Sequence, residues 1–324
     1  MILAVDVGGT NTRVALFERQ KGRLKRRAEK TYPSRDHPGL ESIIQLFQQE
    51  HPGRPACASC GVAGPVRDGR GATTNLPWLV DSTRLADRLG LERVGLINDL
   101  EANAWGLPEL DEDDFVELSA GSPAAAGNQA IISAGTGLGE AGLYWDGRRH
   151  HPFATEGGHA DFAPRNDLED ELRRFLRDEL DRVSWERVVS GPGLLNIYRF
   201  LRDTGRGVES AEVRDAMSDG DPAAAISAAA LAGGSALASV TLDLFVSLYG
   251  AEAGNLALKM MATGGLFVGG GIAPKIIDRL RAGGFMSAFH AKGRMQPLLE
   301  TMPVRVVLND RTALLGAARH AESL

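Results

Sequence analysis

The sequence predicts an α/β protein of two domains, and three observations carry that prediction. Apolar strand-like runs alternate with amphipathic helical stretches through the first hundred residues. Glycine clusters follow or join several of those runs. The chain has 324 residues, long for one core and comfortable for two.

Element by element, "ILAVDV" is an apolar strand bounded by Gly8 and Gly9. "RVALFER" and "RLKRRAEKTY" alternate as a strand meander, with the basic run Lys21 to Arg27 as a solvated hairpin. "GLESIIQLFQQEH" places Leu40, Ile43, Ile44 and Phe47 on one helical face. The strand "ACASCGVAG", a turn-rich stretch through Trp78, the helix "DSTRLADRLG" and the strand "RVGLI" complete a βββαβαβ order. The acidic, turn-like "PELDEDD" from Pro108 to Asp114 marks a hinge. Beyond it, "QAIISAGTGLGEAGLYWDG" reads as two strands around a Gly-rich turn. Helices then dominate. "DLEDELRRFLRDEL" carries an apolar stripe at Leu168, Leu172, Phe175, Leu176 and Leu180. "GPGLLNIYRFLRD", "SAEVRDAM" and an Ala-rich pair between Pro222 and Ala262 follow. "GLFVGGGI" and "VRVVL" are strands, and "RTALLGAARHAE" is a final helix. No repeat of 20–50 residues is evident.

Composition excludes several classes. Hydrophobic content of 43% and charged content of 24% are those of a globular protein. The net charge of −6, with no basic stripe, argues against nucleic acid as partner. An anionic ligand must then be held locally, by backbone N–H groups, a metal or a few side chains. The N-terminal run is cut by Asp6 and lacks a basic leader, so no signal peptide is expected. The uncharged run Pro222 to Leu242 is Ala, Gly and Ser, too weakly hydrophobic for a membrane span. The two cysteines, Cys57 and Cys60, sit three apart on a strand and so face opposite ways, poorly placed to share a metal. They read as structural thiols of a cytoplasmic protein.

Three glycine constellations carry chemistry. "DVGGTNTR" sets Asp6 before Gly8, Gly9, Thr10 and Asn11. Such a turn presents N–H groups to an anion. Asp6 can hold a hydrated divalent cation beside it. "SAGTGLGEAG" contains G-x-G-x-x-G, but a strand follows it where a dinucleotide fold needs a helix. It reads as a second phosphate hairpin with Thr136 as hydroxyl donor. "FVGGGIAPKI" is a strand, Gly269 to Gly271, then a helix with Pro274 near its first turn, suited to a flat ligand or phosphate. Gly-Lys never occurs, which excludes a P-loop. Finally, "VGLINDLEANAWGL" empties an apolar strand into Asn98, Asp99, Glu101 and Asn103. Asp99 alone is a helix cap or first-turn acid; the sharper role is a general base.

"DVGGTNTR", "LINDLEANAWGL", "GTGLG", "EGGHADFAP", "WERVVSGPGLLNIY" and "FVGGGIAPK", in this order, resemble bacterial glucokinase over essentially the whole chain. Any one motif is weak; the ordered set is specific. The resemblance implies a two-domain ribonuclease-H-like sugar kinase/actin fold with an interdomain cleft. The small domain would be 1–109 plus 310–324, and the large domain 110–309. It implies Asp6 to Asn11 as the first phosphate loop, with Asp6 meeting Mg²⁺ through water. Gly135, Thr136 and Gly137 would form the second loop, and Gly269, Gly270 and Gly271 would face the adenosine. Asn98, Asp99, Glu156, His159 and Glu186 would hold glucose, with Asp99 as catalytic base on the 6-hydroxyl. ATP and Mg²⁺ are the implied cofactors, glycolysis the context, and a homodimer the implied assembly.

Glu101 and Asn103 read as exposed or capping groups, Glu186 alone as an early-turn acid after Ser184, and Asn75 as a turn residue or a lining of the sugar side. No cysteine follows Cys60, so His159 would bind sugar without the structural zinc of some repressor-kinase relatives. Glu140 stands directly after Gly139, where a carboxylate would repel phosphate, so it should point away from the nucleotide. The competing readings are a kinase of another hexose and a kinase-like regulator that binds sugar without catalysis. Such a regulator needs a helix-turn-helix, for which the strand starting at residue 2 leaves no room ahead. Selectivity between glucose and mannose, and among ATP, ADP and polyphosphate, is open at this level.

Overall fold

The computed structural model describes residues 1–73 and 76–324; Asn75 lies outside the described residues. The described chain packs as two compact units. One comprises Met1–Asp114, Pro152–Ala154 and Asn309–Leu324, and the other Phe115–His151 and Thr155–Leu308.

The first unit opens with a meander, β1 (Ile2–Val7), β2 (Asn11–Gln20) and β3 (Arg23–Pro33). The β2–β3 turn uses Lys21 and Gly22, both at positive φ, and β3 is largely exposed, as a solvated basic hairpin should be. Then come α1 (Leu40–Glu50), β4 (Cys57–Val62) and the short strands β5 (Val66–Arg67), β6 (Arg70–Ala72) and β7 (Leu79–Asp81). α2 (Ser82–Leu89), β8 (Gly95–Asn98) and α3 (Asp99–Gly106) follow. The main sheet has the order β3-β2-β1-β4-β8, antiparallel across the meander and parallel from β1 to β8.

Both faces of this sheet are covered, as parallel strands require. Alternate residues of β1 serve the two sides: Leu3, Val5 and Val7 pack with Ile43 and Phe47 of α1. Ile2 and Ala4 pack with Leu314, Ala317 and Ala318 of the C-terminal helix Thr312–Glu322. Cys60 belongs to the first cluster and Cys57 to the second, so the two thiols lie on opposite faces. The C-terminal helix also lies very close to α3. A methyl group at Gly316 would overlap the Ala102 carbonyl, and one at Gly106 the Thr312 carbonyl.

The second unit contains β9 (Phe115–Ser119), β10 (Gln129–Ala134), β11 (Leu138–Trp145), the ends of β12 (His150–Thr155), whose Pro152–Ala154 belong to the first unit, α4 (Asp167–Arg177), α5 (Gly191–Asp203), α6 (Ala211–Asp219) and α7 (Pro222–Leu231). It continues with α8 (Ala236–Met260), β13 (Gly265–Gly269), α9 (Ile277–Arg281), α10 (Gly284–His290), α11 (Gln296–Glu300) and β14 (Val304–Val307). The sheet order is β12-β11-β10-β13-β14-β9. One large core covers it, built around α8 with Leu242, Phe245, Tyr249 and Leu256 inside. Among the described residues α8 is the one helix long and apolar enough to cross a membrane. Its most apolar stretch is 67% buried within the fold, which makes it a core helix.

The expected strands and helices are present. Three features were not expected: the small β5–β7 sheet inside the turn-rich stretch, the edge strand β9, and β12. The helix after Gly271 also begins differently. Ala273–Ile276 is a 3₁₀ turn, followed by the five-residue α9.

Candidate active site

The first glycine loop joins β1 to β2. It is a tight turn in which the Gly8 N–H donates to the Asn11 carbonyl at 2.9 Å. A methyl group on Gly8 would stand 2.9 Å from that same carbonyl oxygen, so space, not handedness, demands glycine here. Hydroxyls brace the loop from below. Ser34 Oγ donates to the Gly8 carbonyl at 2.8 Å and lies 2.9 Å from Thr12 Oγ1. The Ser34 N–H donates to the Thr10 carbonyl at 2.9 Å. Ser34 was not expected from sequence; it lies 22 residues from Thr12 with no motif to mark it. Thr10 and Asn11 stay exposed at the crest.

Asp6 sits in register with Arg13 on β2. Burial pushes its carboxyl above the usual range, Arg13 opposes that, and Asp310 adds to it. A carboxylate so placed is short of positive charge, and a hard cation taking one or two carboxylates with waters fits it.

Asn98 and Asp99 stand where β8 runs into α3. The cap is Asn98, not Asp99. Asn98 Oδ1 accepts from the Leu100 N–H at 2.8 Å and the Glu101 N–H at 3.4 Å, while its Nδ2 donates to the Gly64 carbonyl at 3.1 Å. Asp99 is the first helical residue, half-buried, with Oδ1 accepting from the Leu100 N–H at 2.9 Å. Gly61 on β4 allows α3 to start close to the sheet, since a methyl there would meet Ala102 Cβ at 2.9 Å. Glu101 and Asn103 are half-buried rather than exposed. Burial raises the Glu101 carboxyl, and Asn103 Nδ2 donates back to the Asp99 carbonyl at 2.9 Å.

In the second unit the hairpin β10–β11 turns at Gly135, Thr136 and Gly137. The Gly135 N–H donates to the Gly137 carbonyl at 2.8 Å, and the Gly191 N–H, at the start of α5, donates to the Gly135 carbonyl at 2.8 Å. No helix follows Gly139, which settles the dinucleotide question. Here the brace is a carboxylate: Glu186 Oε2 accepts from the Leu138 N–H at 3.0 Å. Glu186 lies on a 3₁₀ turn, Trp185–Arg187, and Ser184 gives no side-chain cap there.

Glu186 also reaches the other predicted sugar residues. Its Oε1 is 3.9 Å from His159 Nδ1, and His159 Nε2 is 4.0 Å from Glu156 Oε2. These spacings exceed a hydrogen bond and suit an intervening hydroxyl. The loops carrying the three side chains are stitched together. The Phe162 N–H donates to the Val183 carbonyl at 3.0 Å, the Trp185 N–H to the Ala160 carbonyl at 3.0 Å, and Arg182 Nη1 to the His159 carbonyl at 2.7 Å. Beneath them, the Phe162 and Trp185 rings meet edge-on at 4.9 Å between centroids.

Gly270 has φ of +84°, and a methyl there would overlap the Ala134 carbonyl. Both surroundings and backbone therefore need glycine. Gly271 has nothing within 4 Å of such a methyl. Tyr249, missed in the sequence, ties the two glycine turns of this unit: its hydroxyl accepts from the Ala134 N–H at 3.1 Å and lies 3.3 Å from the Gly269 carbonyl. A lone tyrosine in an Ala- and Gly-rich helix was the available signal. Glu140 is 1% exposed and faces Glu252 of α8 rather than the loop crest.

Each unit thus offers a glycine turn at the end of a β-meander that continues into parallel strands, with carboxylate and amide side chains at strand ends. Solved structures share this fold. A glucokinase from an Antarctic psychrotroph matches 100% of this chain and 99% of its own at a TM-score of 0.87 and 32% identity. A ROK family glucokinase from Streptomyces griseus, in complex with glucose and AMPPNP, shares the fold at a TM-score of 0.65 and 22% identity, covering 100% of this chain and 99% of its own. Fold and site define a sugar kinase of the actin-like class.

The family model described as Glucokinase matches residues 3–324. A glucokinase of Trichormus variabilis is 43% identical over 340 aligned positions, covering 100% of this chain and 99% of that protein. The chain belongs to the glucokinase family: it is an enzyme that uses ATP to phosphorylate glucose to glucose 6-phosphate.

Proposed function

We propose that Asp99 is the general base of this phosphoryl transfer. The observation that carries the proposal is the division of labour at the β8–α3 junction. Asn98 closes the helix end, so the carboxylate at 99 is not required for capping. It stands in the first turn, where the helix dipole favours the ionised form. In the reaction the 6-oxygen forms a bond to the γ-phosphorus, the bond from that phosphorus to the β–γ bridging oxygen breaks, and Asp99 takes the hydroxyl proton. General-base help is worth about 10²–10⁴-fold.

Glu156, His159 and Glu186 hold sugar hydroxyls, which the near-4 Å spacings among them support. Asn98 contributes its remaining Nδ2 hydrogen. The turns at Gly8, Gly9, Thr10 and Asn11 and at Gly135, Thr136 and Gly137 present N–H and hydroxyl donors to phosphate, and the exposed Gly270–Gly271 backbone takes the flat adenosine. Asp6 would hold Mg²⁺ through water. When bound, that ion neutralises charge on the transferring phosphates. A cytoplasmic homodimer is the assembly and location that accompany this reading.

Asp99→Ala should lower turnover by about 10²-fold or more while calorimetric glucose binding and the melting profile persist. Near-normal turnover in a glucose-dependent coupled assay would remove Asp99 from this role. A panel of sugars crossed with ATP, ADP and polyphosphate measures selectivity in the same assay.

A further inference from the structure

Glu140 and Glu252 are 1% and 0% exposed, and neither takes part in the chemistry above. They face one another across β11 and α8. Glu252 is well supplied: Oε2 accepts from Asn255 Nδ2 at 2.7 Å and Oε1 from Lys259 Nζ at 3.2 Å. Asn255 is fixed in turn by Lys292, whose Nζ donates to Asn255 Oδ1 at 2.6 Å and to the Ala251 carbonyl at 2.8 Å. Glu140 is not so supplied. Its Oε1 is buried without a hydrogen-bond partner among the described residues.

The far side of Glu140 is the sugar loop. A methyl group on Gly157 would overlap Glu140 Oε2, and one on Gly158 would overlap the Leu138 carbonyl. Thr155 Oγ1 donates to the Glu140 carbonyl at 3.1 Å and accepts from the Gly157 N–H at 3.2 Å. The turn Gly157–His159 therefore rests directly on the Glu140 carboxyl, and that turn links Glu156 to His159.

We propose that Glu140 is a positioning residue for glucose: held against Glu252, its carboxyl is the seat of the Gly157–Gly158 backbone and sets the spacing of Glu156 and His159. The inference rests on the reading of that loop as the sugar site. Lys259 acts on both buried carboxylates, and Lys292, itself pushed down to about 8 by burial, acts on Glu252; burial still leaves both carboxyls raised, so the pair retains a proton. Burial, with Glu252 and then Lys259 acting on it, leaves the Glu140 carboxyl raised. The groups facing it are Glu252, Lys259 and the Tyr249 hydroxyl from α8, and Thr155 with the Gly157 backbone from the loop. A neutral carboxyl is mimicked by glutamine in shape and hydrogen bonding. Alanine removes the seat.

The experiment compares Glu140→Gln, Glu140→Ala and Glu156→Gln by glucose calorimetry and by separate KM and kcat values. Glu140→Gln should keep the glucose KM within about 2-fold of wild type, and Glu140→Ala should raise it about 10-fold or more with the ATP KM little changed, as loss of aim at a bound substrate does. Raising the pH should weaken glucose binding in the wild type and not in Glu140→Gln. If Glu140→Ala does not fold, Glu252→Gln takes its place and should leave the glucose KM near wild type at neutral pH while flattening the alkaline rise. A wild-type glucose KM in Glu140→Ala beside an impaired Glu156→Gln would overturn this inference alone. A wild-type KM in Glu156→Gln would overturn the sugar reading of the loop and this inference with it. Equal loss in Glu140→Gln and Glu140→Ala, for both substrates, would also overturn it.

Discussion

The two glycine turns proposed to hold phosphate look alike in sequence and are braced by opposite chemistry. Each joins the inner strands of a meander, β1 to β2 and β10 to β11, and each inner strand then pairs in parallel with a later one. The first turn is held by neutral hydroxyls, Ser34 and Thr12. The second is held by the carboxylate of Glu186, which also stands 3.9 Å from His159. One turn is therefore supported by groups with no second duty. The other shares its support with the proposed sugar residues, so on that reading changes there should disturb both substrates.

The largest test is Glu186→Ala. It removes the acceptor for the Leu138 N–H and the neighbour of His159 together, and should lower kcat/KM for glucose and for ATP by about 10²-fold each. An effect on glucose alone would separate the loop from the sugar residues and break the comparison. Next come the glycines. Gly8→Ala presses a methyl on the Asn11 backbone, which cannot yield cheaply, and should cost roughly 1–3 kcal/mol of stability. Gly137→Ala meets only the end of the Glu186 side chain at 2.5 Å, so chemical denaturation should show little loss while kinetics worsen about 10-fold. Ser34→Ala is milder. It should cost about 1–2 kcal/mol and raise the ATP KM without changing calorimetric glucose affinity.

The remaining tests, furthest from the two turns, are in pH. His320, half-buried beside Ser59, is pushed down from 6.5 to about 4 by desolvation. Below pH 6.5 the unfolded chain takes a proton that the folded one refuses, so stability falls as pH drops toward 4. That difference is on the order of 3 kcal/mol. His320→Gln should flatten this acid limb in denaturant titrations. Glu140 runs the other way. Above about pH 4.5 the unfolded chain releases a proton that the folded one keeps, so stability falls as pH rises. Glu140→Gln should remove that alkaline limb.

Much of the fold was legible because period-2 and period-3.6 patterns were clean, as in β1 against α1. β9 and β12 were not, since "FVELS" adjoins an acidic turn and "HHPFAT" holds a proline and little apolar alternation. The β5–β7 sheet was hidden because strands of two or three residues carry no period. At the site, the glycine turns announced themselves, but their braces did not. Ser34, Tyr249 and Glu140 act through contacts distant in sequence; no local pattern marks Ser34, and those beside Tyr249 and Glu140 do not say what they touch. Sequence left Asp99 as cap or first-turn acid for a related reason: Asn98 and Asp99 can both cap, and the extended backbone of Asn98, φ −66° and ψ 153°, makes Asn98 the cap and Asp99 the first-turn acid. The shared meander of the two sheets was invisible as a sequence repeat, because topology keeps the burial pattern and not the letters.

The glycine contacts between α3 and the C-terminal helix have a consequence for synthesis. The mount of Asp99 is finished by Thr312–Glu322, which leaves the ribosome after residues 115–308 have supplied most of the other unit. A growing chain can therefore order the Gly157–His159 loop early, but Asp99, the proposed base, is rigidly held only after Thr312–Glu322 has emerged and docked.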